Sequence, residues 1–106
     1  MRPEALKGHL DSLLLAVVAK EPAHGYAILE RLRERSGGAF DLPEGTIYPA
    51  LHRLEEAGLL TSSWAPGATR RRRVYEVTAK GRRALSGARG EWLSFSDAVN
   101  AVLAGA

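Results

Sequence analysis

The chain has 106 residues, 15 basic and 12 acidic, a formal net charge of +3 and no cysteine. That length fits a single domain with a modest core, for which help from a partner subunit is unsurprising. The missing cysteines exclude disulfides, thiolate catalysis and cysteine-based zinc sites. The longest apolar run near the start, residues 13–19, is too short for a membrane span and lacks a cleavage signal, so a cytoplasmic protein without a signal peptide is expected.

In chain order, Leu6, Leu10, Leu13, Leu14, Val17 and Val18 recur at helical spacing and predict a first helix. Glu21-Pro22 ends it, because the residue before proline is pushed out of the helical region. A second helix is predicted over residues 26–35, with Ile28, Leu29 and Leu32 inward and Ser36-Gly37-Gly38 as its stop. A third follows Leu42-Pro43, with Pro43 as its first residue and Glu44 at the positive end of its dipole. Ile47, Ala50, Leu51 and Leu54 form its buried face, and Gly58 is placed to cap its end. Pro49 conflicts with this pattern, since an interior proline loses one backbone hydrogen bond. The helix either starts late or tolerates a loosened first turn.

The period then changes to two. Residues 59–64 and 74–77 are β-prone and flank a turn-rich stretch, so they predict a hairpin. Thr78 is placed to cap a last helix running to about residue 103. On that helix Leu85, Trp92 and Val99 are seven apart, as are Ala88, Phe95 and Val102. Such an a/d seam predicts pairing with a second copy, with Leu6 and Leu10 of the first helix joining the interface. A long helix weakened by Gly87 and Gly90 also needs something to pack on.

Helix, helix, helix, hairpin, helix is the order of a winged helix-turn-helix. The expected fold is therefore mainly α with a small β-hairpin: a winged domain over residues 1–78 and a dimerisation helix over 79–106. In such a fold the third helix enters the DNA major groove. Its outward side carries Gly45, Thr46, Tyr48, Pro49, His52 and Arg53, which suit close approach and contacts to phosphates or guanine acceptors. Seven of the 15 basic residues and one of the 12 acidic ones lie between Arg70 and Arg83, so the remainder holds 8 basic and 11 acidic residues. The positive charge is concentrated on the predicted wing and the start of the last helix, and the wing's Arg70, Arg71, Arg72 and Arg73 are expected to meet phosphates. A solvated loop is the bland alternative for this run.

The motifs HGYAI at 24–28, GTIYPALHRLEEAGLL at 45–60 and RRVYEVTAKGR at 72–82 resemble, in order and spacing, those of the PadR-like transcriptional regulators. The single terminal helix resembles the short subfamily. The resemblance implies a repressor, dimeric through its first and last helices, that binds double-stranded DNA at an inverted repeat and is released by a small molecule. It adds Tyr26 as a phosphate contact, with core packing as its equal alternative. It makes Trp92 a candidate for sandwiching a planar aromatic effector, with Phe95, Leu13, Val17 and Asp11 around it; plain packing in the seam is the alternative role for Trp92. Relatives often carry Ser or Asn where Pro43 stands, so the usual side-chain cap of the third helix is missing here.

No phosphate loop and no hydrolase-like spacing of Ser, His and acid occurs, so an enzyme is not expected. No cofactor or metal is expected either. The alternatives are a metal-responsive regulator using His9, His24 or His52 with acidic ligands, and a winged helix used for protein contacts.

Overall fold

The computed structural model describes Leu6 and residues 8–67 and 72–105. Seven elements follow in order: α1 (Leu10–Lys20), β1 (Ala23–His24), α2 (Gly25–Arg35), α3 (Glu44–Glu56), β2 (Leu60–Trp64), β3 (Arg73–Val77) and α4 (Ala79–Ala104). The mainly helical winged fold expected from the sequence is present, with one addition. The hairpin is part of a three-stranded antiparallel sheet in the order β1-β3-β2. The added strand is two residues long, and pairs Ala23 with Tyr75 and His24 with Val74.

The core is built where the helical stripes converge. Leu14, Leu15, Val17 and Val18 of α1 meet Ile28 and Leu32 of α2, and Ile47, Ala50, Leu51 and Leu54 of α3. Leu60, Tyr75 and Leu85 close it from the sheet and from α4. Tyr75 is the largest side chain in it, and burial pushes its phenol pKa up.

α3 starts at Glu44, with Pro43 as its N-cap rather than its first residue, and runs through Pro49. No side chain caps its start; the Pro43 carbonyl accepts from Thr46 N at 3.0 Å and Ile47 N at 3.3 Å. Its end is a Schellman turn. Gly58, at φ +78°, lets Leu59 N reach the Leu54 carbonyl at 2.9 Å. The chain then passes into β2, and β3 returns to α4 beside the same turn. Thr78 Oγ1 accepts from Gly81 N at 3.0 Å, capping α4, and donates to the Gly58 carbonyl at 2.7 Å. Lys80 Nζ donates to the Ala57 carbonyl at 2.8 Å. These bonds fix the end of α3 to the start of α4.

Only the first turns of α4 enter the core, through Gly81 and Leu85. Beyond them the helix projects, giving extents of 57 × 28 × 19 Å. The predicted seam therefore divides. Leu85 is buried within its own domain and Ala88 half-buried, while Trp92, Phe95 and Val102 are exposed. Leu6 is likewise buried, ahead of α1. Among the described residues, no helix is long and apolar enough to cross a membrane.

Candidate nucleic-acid interface

The outward side of α3 forms three lines. Gly45, Pro49, His52 and Glu56 run along its crest, all exposed. Thr46 and Arg53 lie on the flank towards α1, where they line a hollow with Leu10, Asp11 and Pro43. Tyr48 lies on the opposite flank, towards the sheet. There a groove opens, lined by His24, Tyr26, Tyr48, His52, Trp64, Arg72 and Arg73. The same groove includes Glu30 and Glu44, so it is mixed in charge.

Each wall has a local cause. Tyr48 packs its ring against Gly25, the first residue of α2. A Cβ there would fall 2.7 Å from its Cζ, so glycine is what allows the ring to settle. Tyr26 is half-exposed and hydrogen-bonded to Glu30, which pushes its phenol pKa up. Of the two roles open to Tyr26, core packing is thus not the one its position supports. His24 caps α2, its Nδ1 accepting from Ala27 N at 3.3 Å. A neutral imidazole in that role carries its proton on Nε2, which faces Arg72 Nη1 at 3.2 Å. Two donors then face each other. Burial first, and then the Arg72 and Arg31 charges, hold the His24 pKa below its usual value.

Arg53 is placed differently from the sequence expectation. Its Nη2 donates to Asp11 Oδ1 at 2.6 Å, so its charge is directed at α1 rather than into the groove. Both side chains remain about half exposed. Arg73 comes from the opposite side. Its guanidinium carbon stands 4.7 Å from the centre of the Trp64 ring, and its Nε donates to Ser62 Oγ at 2.9 Å. Arg70 and Arg71 lie outside the described residues. Trp64, which lines the groove, and Ser62, which holds Arg73 there, were not foreseen as site residues, and His24 was foreseen only as a possible metal ligand. The alternation of Leu60, Ser62 and Trp64 was the available signal for the first two.

A second cavity, of about 400 Å³, lies between α1 and α4. Leu6, Leu13, Phe40, Leu85, Ala88 and Trp92 are among its apolar walls, and His9, Ser12 and Arg89 are its polar ones. His9 and Trp92 meet edge to face at 5.2 Å, and Phe95 leans on Trp92 at 6.1 Å. Of the residues grouped with Trp92 on sequence grounds, only Leu13 lines this cavity. Val17 is sealed in the core at 3% exposure, because it sits on the inner stripe of α1. Asp11 turns to Arg53, and Phe95 lies on the exposed rim. Among the described residues, no three His, Cys, Asp or Glu side chains are grouped to hold a metal ion.

The sequence profile described as Transcriptional regulator PadR-like family matches residues 14–87. A transcriptional regulator from Mycobacterium tuberculosis is 40% identical over 69% of this chain and 65% of its own length. A PadR family regulator from Eggerthella lenta superposes with a TM-score of 0.83 at 34% identity, over 94% of this chain and 86% of that one. A PadR family regulator from Clostridium difficile gives a TM-score of 0.81 at 33% identity, over 91% and 99%.

Proposed function

The chain belongs to the PadR-like family of transcriptional regulators, and from that premise we propose that it is a DNA-binding repressor acting as a two-fold dimer. The observation that carries the reading is the junction of α3 with the wing base. Tyr48 and His52 of the reading helix and Arg72 and Arg73 of the wing line one open groove. A helix crest bearing Gly45, Pro49 and His52, with cations at its side, suits a major groove flanked by phosphates. Release comes from a planar, largely apolar molecule entering the cavity between α1 and α4 beside Trp92. The apolar walls and the single arginine there favour that chemistry over a charged metabolite.

The test is a shift assay on the DNA flanking the protein's own coding sequence, repeated across salt. Tight binding to an inverted repeat is expected, with half-sites about one helical turn, or a multiple, apart. Absence of binding at low salt to any such DNA sinks the reading. Addition of planar aromatic compounds is expected to quench Trp92 emission and loosen the complex; emission unchanged across a broad panel removes the effector part.

A further inference from the structure

We propose that Ser62 and Trp64 are positioning residues that aim the Arg73 guanidinium at a single DNA phosphate beside α3. This rests on the DNA-binding reading above and adds to it a mechanism of grip. Leu60, Ser62 and Trp64 of β2 pair directly with Val77, Tyr75 and Arg73 of β3. Direct partners in an antiparallel pair share a face. Leu60 and Tyr75 are buried at 2% exposure, so this is the face turned to the core. At its last rung the core has run out, and Trp64 and Arg73 stand in the groove beside Tyr48 and His52. Arg73 is thus on the inner face of the wing base, not on a solvated loop tip.

The guanidinium is held on two sides. The Trp64 ring lies under it at 4.7 Å, and Ser62 Oγ takes its Nε proton at 2.9 Å. The serine hydroxyl in turn donates to the Glu55 carboxylate, 2.7 Å from Oε2 and 3.0 Å from Oε1. Glu55 belongs to α3, so the relay Glu55–Ser62–Arg73 ties the wing cation to the reading helix. The serine also stands between the two charges. Among the described residues the ion pairs are Arg31–Glu21 and Arg53–Asp11, and neither involves Arg73. Arg53 shows the contrast: it is on the same helix as Glu55 and is directly paired. Arg73 is oriented through a neutral hydroxyl and keeps its charge for an outside anion. With Nε committed inward, its remaining donors are the Nη groups, whose planar fork matches two phosphate oxygens. Pre-orientation matters because a solvated arginine must surrender rotamer freedom on binding, and one already fixed does not.

The test uses the full chain and a fluorescently labelled, mixed-sequence DNA duplex about three helical turns long, followed by anisotropy over a salt series. Arg73→Gln is expected to reduce the slope of log affinity against log salt by about 0.9 for each copy of the chain bound. Arg73→Lys keeps the charge, so it keeps the slope, yet loses the Nε bond and the flat stack and binds several-fold more weakly. Ser62→Ala and Trp64→Leu are each expected to weaken binding by about threefold or more in the native background. Both are expected to be nearly silent when Arg73→Gln is already present. Trp64→Tyr retains an aromatic face and most of the affinity; it serves if Trp64→Leu proves unstable. An unchanged salt slope in Arg73→Gln overturns the phosphate contact. Equal losses from Ser62→Ala in both backgrounds overturn the positioning role, while leaving DNA binding intact. A native chain that ignores the duplex at low salt overturns DNA binding and this proposal with it.

Discussion

His24 serves two neighbours with one ring. Its Nδ1 holds the first turn of α2, and its other nitrogen faces Arg72. Protonation removes the lone pair that caps the helix and adds a cation beside Arg72 and Arg31. Burial first, and then the Arg72 and Arg31 charges, lower the pKa from the usual 6.5 on folding. Below about pH 6.5 the unfolded chain takes up a proton that the folded chain resists, so this group's contribution to stability is full above 6.5. It declines as pH falls towards the lowered native value, and levels off beneath it. His24→Asn keeps a capping oxygen and cannot titrate. Thermal melts of both proteins between about pH 5 and pH 8 should show the native protein losing more stability on the acid side. Parallel curves would show that His24 is not the source. His24→Ala, which deletes the acceptor, should cost about 1 kcal/mol near neutrality. At the same scale Arg53 shows where residue-type reasoning stops. An arginine on the outward side of a reading helix suggests a phosphate partner, but the approach of α1 brings Asp11 to it first.

Elements in this fold are held by their ends, and Gly81 is where that is tightest. A Cβ on Gly81 would collide with the Leu59 carbonyl oxygen and stand 2.8 Å from Val77 Cγ2. The carbonyl is backbone and is already bonded to Thr78 N at 3.1 Å, so it has little room to yield. Gly81→Ala should lift the first turn of α4 from the sheet, at a cost of about 1–3 kcal/mol, read as a depressed Tm. Gly90→Ala is the control. Nothing lies within 4 Å of a Cβ there, so the change should stabilise α4 by up to about 1 kcal/mol. A neutral Gly81→Ala would refute the close-packing account. Element patterns of four or more residues were legible in the sequence because each had a period to follow: the stripes of α1, α2 and α3 and the alternation of β2. β1 was not, since two residues carry no period. It is a strand only because β3 stands beside Ala23 and His24. The run through Pro49 was legible as a conflict but not as an outcome. The bond that proline forgoes would be to the carbonyl of Gly45, which sits on the exposed crest with nothing within 4 Å of where a Cβ would stand. The candidate site followed the same division. Tyr48, Arg53 and Arg73 could be singled out by motif order, whereas the partners that hold them — Gly25, Asp11 and Ser62 — depend on contacts between distant segments.

At the scale of the molecule, one half of α4 is a single domain's helix and the other half is not. Leu85 belongs to the core, but from Trp92 onward the apolar side chains stand out: Trp92 at 51%, Phe95 at 60% and Val102 at 76% exposure. Leu93 and Leu103 extend the patch. A helix projecting alone with this surface is poorly supported in water, and large contiguous apolar patches mark interaction sites. The heptad spacing of Trp92 and Val99, offset from Phe95 and Val102, is what a second copy of the same helix fits. The native chain should therefore sediment at about twice 11.5 kDa. Val102→Glu is the discriminating variant. Val102 is far from the core and largely solvated, so a carboxylate there leaves the winged domain unharmed while placing like charges across a two-fold seam. It should give a folded monomer with reduced helix content and markedly weaker DNA binding, because one reading helix then engages one half-site. A native chain that sediments at 11.5 kDa at tens of micromolar would refute the two-fold assembly. A dimer unaffected by Val102→Glu would move the seam to the α1 side of α4. Either result bears on control, because Trp92 belongs both to this exposed surface and to the wall of the cavity between α1 and α4.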